Sequence, residues 1–118
     1  MSKDPTIAIR DCLAEIAILH ELYARMTIQS FRDDPIAMRA AAYAIQTISE
    51  AVRHIPDAWL ADFPTQPWSQ IKSIGNRIRH EYYRVDHAIL WQIMTTDSHA
   101  LKIVMETMLA RHADDKNG

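Results

Sequence analysis

The chain has 118 residues, 48% of them hydrophobic and 24% charged, with a formal net charge of −2. That length and balance fit one globular domain with a real core. No run approaches the ~18 consecutive apolar residues of a membrane span, the opening Met1-Ser2-Lys3-Asp4-Pro5 lacks the apolar stretch of a signal peptide, and a single cysteine excludes a disulfide scaffold.

Cys12 is expected to be a small buried residue in a reducing cytoplasm. Gly75 and Gly118 are the two glycines. That scarcity excludes Gly-rich phosphate loops and points to an all-α chain.

Asp4-Pro5 reads as an N-cap followed by Pro at the first helical position. Ile9, Leu13, Ile16, His20 and Tyr23 then form the stripe of a helix near 5–26. Asp34-Pro35 repeats the start signal for a second helix over about 35–54, with Met38, Ala41, Ile45, Ile48 and Val52 inward. Pro56, Pro64 and Pro67 mark an irregular crossing with a short turn at 57–60. Pro67-Trp68 restarts a helix that runs to about Tyr83 on Ile71, Ile74 and Ile78. Asp86 is expected to cap a fourth helix and Asp97 a fifth, with residues 114–118 a polar, frayed tail. The sum is one domain, 1–113, folded as an antiparallel bundle of four to five helices. The methionines and Trp59, Trp68 and Trp91 are expected as packing residues, and His20 as a hydrogen-bonded core or interface histidine.

Residues 72–84 concentrate the chemistry. Lys72, Arg77, Arg79 and Arg84 against Glu81 give a local excess of +3 within a chain of −2, a candidate anion site. A solvated face with Arg77–Glu81 pairing is the alternative. Asn76 lies one turn before His80 and can hydrogen-bond one imidazole nitrogen, leaving the other free for general acid or base work near neutral pH. Tyr82 and Tyr83 follow, where a phenol can stack on a base. No metal-ligand spacing is present, and neither a metal nor a cofactor is expected.

The run Gly75-Asn76-Arg77-Ile78-Arg79-His80-Glu81-Tyr82, then Val85-Asp86 and Ile89-Leu90-Trp91, resembles the signature of the HepT-like proteins, members of the HEPN superfamily of helical bundles. Ile48-Ser49-Glu50-Ala51 is similar to the family's Ile-Gly-Glu-Ala, and Phe63-Pro64 with Pro67-Trp68 to its aromatic-Pro…Pro-Trp approach. Ser30-Phe31 with Asp33-Asp34 resembles the family's linker before the second helix, and the similarity spans about 7–110.

The resemblance implies a cytoplasmic bacterial toxin: a homodimeric, metal-independent RNase, silenced when an MntA-type nucleotidyltransferase antitoxin transfers AMP to a tyrosine. By position His80 matches the catalytic histidine, Asn76 the polar residue after the family's arginine, and Tyr82 the modified tyrosine. Lys72, Arg77, Arg84 and Tyr83 are the expected RNA- and phosphate-binding residues. The family's arginine position is occupied here by Gly75. One consequence is a non-catalytic HEPN module that binds a nucleotide or scaffolds the nucleotidyltransferase. The other is compensation by Arg79, which leans toward the preceding turn and the gap left at Gly75. On that second view, Gly75→Arg would restore part of the activity of an Arg79→Ala variant.

Overall fold

A computed structural model describes residues 4–117, with side chains through Ala113. The regular structure of the described residues is all helical, and no strand occurs among them. The elements are α1 (Pro5–Tyr23), α2 (Ile28–Arg32), α3 (Pro35–Val52), α4 (Asp57–Ala61), α5 (Trp68–Glu81), a 3-10 turn (Tyr82–Arg84), α6 (His87–Gln92), a π-helical segment (Ile93–Asp97) and α7 (Ser98–Asn117). The all-α bundle is thus as expected. The tail expected at 114–118 falls where side chains lie outside the described residues, as does the whole of Gly118; the backbone of α7 is helical through Asn117.

Three of the four expected caps form. Asp4 accepts from the Thr6 amide at 2.9 Å, Asp34 from the Ile36 and Ala37 amides at 3.0 Å, and Asp86 from the Ala88 amide at 2.9 Å. Asp97 does not cap. An N-cap needs a non-helical backbone, and Asp86 has it (φ −64°, ψ 134°). The chain around Asp97 instead stays helical, with Gln92 at φ −60°, ψ −46° and Ser98 at φ −64°, ψ −26°. The expected fourth and fifth helices therefore join through the π segment, where Thr95 donates to the Trp91 carbonyl and Ser98 to that of Met94, both at 2.7 Å. One further helix, α2, interrupts the first linker, closed by a reciprocal cap between Thr27 and Ser30.

α1 packs on α3 on one side and on α7 on the other, and α3 carries α5 on its far flank. Ala37, Ala41, Ala42, Ala44 and Ala51 keep α3 slim where it is buried, so neighbouring backbones come close. Ile9, Ile16, Leu19, Ile45, Val52, Leu90, Met94, Met105 and Met108 fill the core. Cys12 is fully buried, and burial, with Asp11 and Glu15 nearby, pushes its thiol up to about 12. Trp68 anchors the start of α5 by donating to the Leu60 and Phe63 carbonyls at 2.9 and 3.0 Å. His20 bonds Ser98 at 2.8 Å and stacks on His99 at 4.1 Å, along the α1–α7 seam.

Candidate functional site

α5 presents three faces. Its inward face carries Ile78 and Gly75, both buried. One flank faces α3. The outer ridge carries Asn76, Arg77 and His80, all exposed. A Glu81 backbone at φ −140°, ψ 37° ends the helix directly after His80, and the 3-10 turn turns Tyr82 back toward the bundle.

Gly75 sits where α5 meets α3. A Cβ there would lie 2.5 Å from Ser49 Cβ, closer still to Ser49 Oγ, and 3.5 Å from the Gln46 carbonyl oxygen. The gap anticipated at Gly75 does not exist, because Ser49 fills it. The expected rescue by Gly75→Arg is corrected for the same reason: the position has no room for any side chain unless α3 moves. Ser49 Oγ and Arg53 Nη2 both donate to the Lys72 carbonyl at 2.9 Å, fixing the crossing.

Arg79 does reach back across this crossing, and its Nη2 lies 3.2 Å from Glu50 Oε2, with both side chains half-exposed. Lys72 Nζ pairs with Asp57 at 3.3 Å. Tyr82 is half-buried and lies under the Arg39 guanidinium, 5.7 Å from its ring centroid. Tyr83 is 80% exposed and carries Arg84 at 5.8 Å.

The Asn76–His80 bond allowed by spacing is not made. Both side chains point outward with no element over them, and an exposed pair gains little over its bonds to water. The Arg77–Glu81 pair is also absent among the described residues. The structure therefore brings Arg79, Lys72 and Tyr82 to the α3 side and leaves Asn76, Arg77 and His80 on the ridge. Two α3 residues escaped sequence reasoning, Arg39 over Tyr82 and Glu50 on Arg79. The Glu50 signal was its place beside Ser49 in the matched helix; Arg39 had none in its own segment.

On the Arg77 flank lies an open groove of about 790 Å³, lined by Ile71, Ile74, Arg77, Ile89, Ile93 and Leu101 among others. Among the described residues no group of three or more His, Cys, Asp and Glu is placed to hold a metal ion, and no helix is long and apolar enough to cross a membrane.

With a helical bundle and an exposed Arg–His ridge on α5 in place, the comparisons settle the family. The chain belongs to the HepT-like ribonucleases, whose model, described as ribonuclease HepT-like, matches residues 12–108. It is 25% identical over 109 residues to a provisionally named RNase of Caldanaerobacter subterraneus subsp. tengcongensis, covering 92% of this chain and 97% of that one. It is 27% identical over 107 residues to another of Methanocaldococcus jannaschii, covering 90% and 98%. It is 26% identical over 94 residues to a protein of Thermococcus cleftensis named "Probable ribonuclease HepT", covering 80% and 86%. No solved structure matches the chain significantly.

Proposed function

We propose that this HepT-like protein is a metal-independent endoribonuclease, the toxin of a toxin–antitoxin pair, acting in the cytoplasm as a homodimer on single-stranded RNA. The observation that carries the proposal is His80: an exposed imidazole with no partner among the described residues, at the end of α5, in the segment matched by the ribonuclease family. One His80 takes the proton from a ribose 2′-hydroxyl as that oxygen attacks phosphorus. The P–O5′ bond breaks, and the leaving oxygen takes a proton from the second His80 across the two-fold axis. Arg79 moves from Glu50 to the phosphate and stabilises its growing charge, with Arg77, Arg84 and Lys72 holding neighbouring phosphates. Asn76 orients the imidazole when RNA closes over the ridge.

A second copy over the apolar groove on the Arg77 flank would bring two ridges together and remove Ile74 and Ile89 from water. The partner enzyme, an MntA-type nucleotidyltransferase, would place AMP on Tyr82. The phenol oxygen attacks the α-phosphorus of ATP, pyrophosphate leaves, and the new phosphodiester adds negative charge beside Arg39 and Arg79.

A non-catalytic nucleotide-binding or scaffold role is the second reading, favoured by the closed position at Gly75 and by the Arg79–Glu50 pair. Growth after induction without the antitoxin separates the two. Arrest by the wild type, absent for His80→Ala at equal expression, supports the nuclease. Unimpaired growth with the wild type supports the scaffold.

A further inference from the structure

We propose that α3 forms the second bank of the RNA-binding surface, with Tyr43 as a base-stacking platform and Arg39 and Arg53 as flanking cations. The inference rests on the ribonuclease reading above. Arg39, Tyr43, Gln46, Glu50 and Arg53 recur at helical spacing and share one face of α3. Three of them touch α5 or its extension directly: Arg39 lies over Tyr82, Glu50 holds Arg79, and Arg53 donates to the Lys72 carbonyl. The face is therefore continuous with the α3-side flank of α5. Tyr43 lies on it between Arg39 and Glu50. The residue is 66% exposed, and its ring makes no hydrogen bond or ring contact among the described residues. A large aromatic held open to water on a rigid helix loses little conformational freedom when a base stacks on it, and stacking tolerates any base.

Charge selects the occupant. Arg39, Arg53, Lys72 and Arg79 outnumber Glu50 and Asp57 along the seam, while the chain as a whole is −2. Arg39 to Arg53 covers about 21 Å of helix, room for several phosphates of one strand. A lone exposed ring between cations matches unpaired bases; in a duplex the bases are stacked and inaccessible to it.

The test is fluorescence anisotropy with a labelled 12-nucleotide oligouridylate, in a His80→Ala background so that the probe stays intact. Tyr43→Ala is expected to weaken binding about 5- to 100-fold, and Tyr43→Phe to stay within twofold of the parent. An abasic ribose-phosphate strand of equal length should bind Tyr43→Ala and the parent alike. If the parent binds oligouridylate and Tyr43→Ala binds it equally well, the α3 bank is wrong and the nuclease reading stands. A parent that does not bind overturns both. Tyr43→Ala that loses binding together with its association state in light scattering overturns the proposal in favour of a protein interface on this face.

Discussion

Gly75 of α5 lies against Ser49 of α3 so closely that a methyl group on Gly75 would overlap the serine side chain. The helix crossing depends on that hydrogen. A glycine inside an exposed helix costs about 1 kcal/mol relative to alanine, so Gly75→Ala would ordinarily stabilise. Here it should destabilise by about 1–3 kcal/mol, as overpacking does. Ser49→Ala leaves the obstructing Cβ in place, whereas Ser49→Gly removes it. The double variant Ser49→Gly/Gly75→Ala should therefore be more stable than the two single effects predict. Urea unfolding of the four proteins gives the coupling. Additive changes would mean that the two positions do not touch.

Arg79 bears on the phosphate in the proposed reaction, and Glu50 holds it beforehand. Arg79→Ala should lose toxicity about as fully as His80→Ala, and Arg79→Lys should recover little, because a point charge is a poor substitute for a planar fork. Arg77→Ala and Arg84→Ala should weaken RNA binding and leave some cleavage. Gly75→Arg should not rescue Arg79→Ala, since the position is closed by Ser49. Growth assays of this set check the order, and wild-type toxicity in Arg79→Ala would remove Arg79 from the mechanism.

Acid should loosen the α1–α7 seam. Burial, then His99 and Lys102, hold the His20 imidazole below its ordinary pKa of 6.5. Ser98 donates its hydroxyl to the Met94 carbonyl, so the His20 Nε2–H donates to Ser98, and the lowered pKa favours the neutral ring in the fold. The folded state then binds fewer protons than the unfolded one. The stability that His20 contributes is present above pH 6.5 and is lost as pH falls through the lowered value. Thermal unfolding should show Tm dropping below pH 6.5, and His20→Gln should flatten that drop. An unchanged slope in His20→Gln would assign acid sensitivity to other groups.

Tyr82, not Tyr83, is the expected AMP acceptor, although Tyr83 is the more exposed of the two. Arg39 over the Tyr82 ring gives an incoming phosphate a cation that only this tyrosine has from α3. Mass spectrometry after co-expression with the nucleotidyltransferase should find one AMP on Tyr82, lost in Tyr82→Phe and kept in Tyr83→Phe. AMP on Tyr83 would reverse the assignment.

Local signals were readable in the sequence, and tertiary ones were not. Asp4, Asp34 and Asp86 fixed three helix starts because a cap depends on its own next few amides. Asp97 carries the same residue type, yet no extended backbone precedes the helix there, and the π segment carries the chain through. The Thr27–Ser30 spacing held the signal for α2, in a form lacking the usual Glu or Gln. His80, Asn76, Arg79 and Tyr82 stand within two turns of each other, so their helix and its outer ridge were legible. What Gly75 faces was not, because Ser49 is 26 positions away in the chain and only the packing of α3 on α5 joins them. Arg39 over Tyr82 and the pairing of Glu50 with Arg79 were hidden for the same reason.

The most direct test of the account is cleavage of a labelled single-stranded RNA by the purified protein in excess EDTA, wild type beside His80→Ala. The account predicts cleavage by the wild type, products ending in a 2′,3′-cyclic phosphate, and none from His80→Ala. Equal cleavage by both proteins, or none by a folded, dimeric wild type, would contradict it.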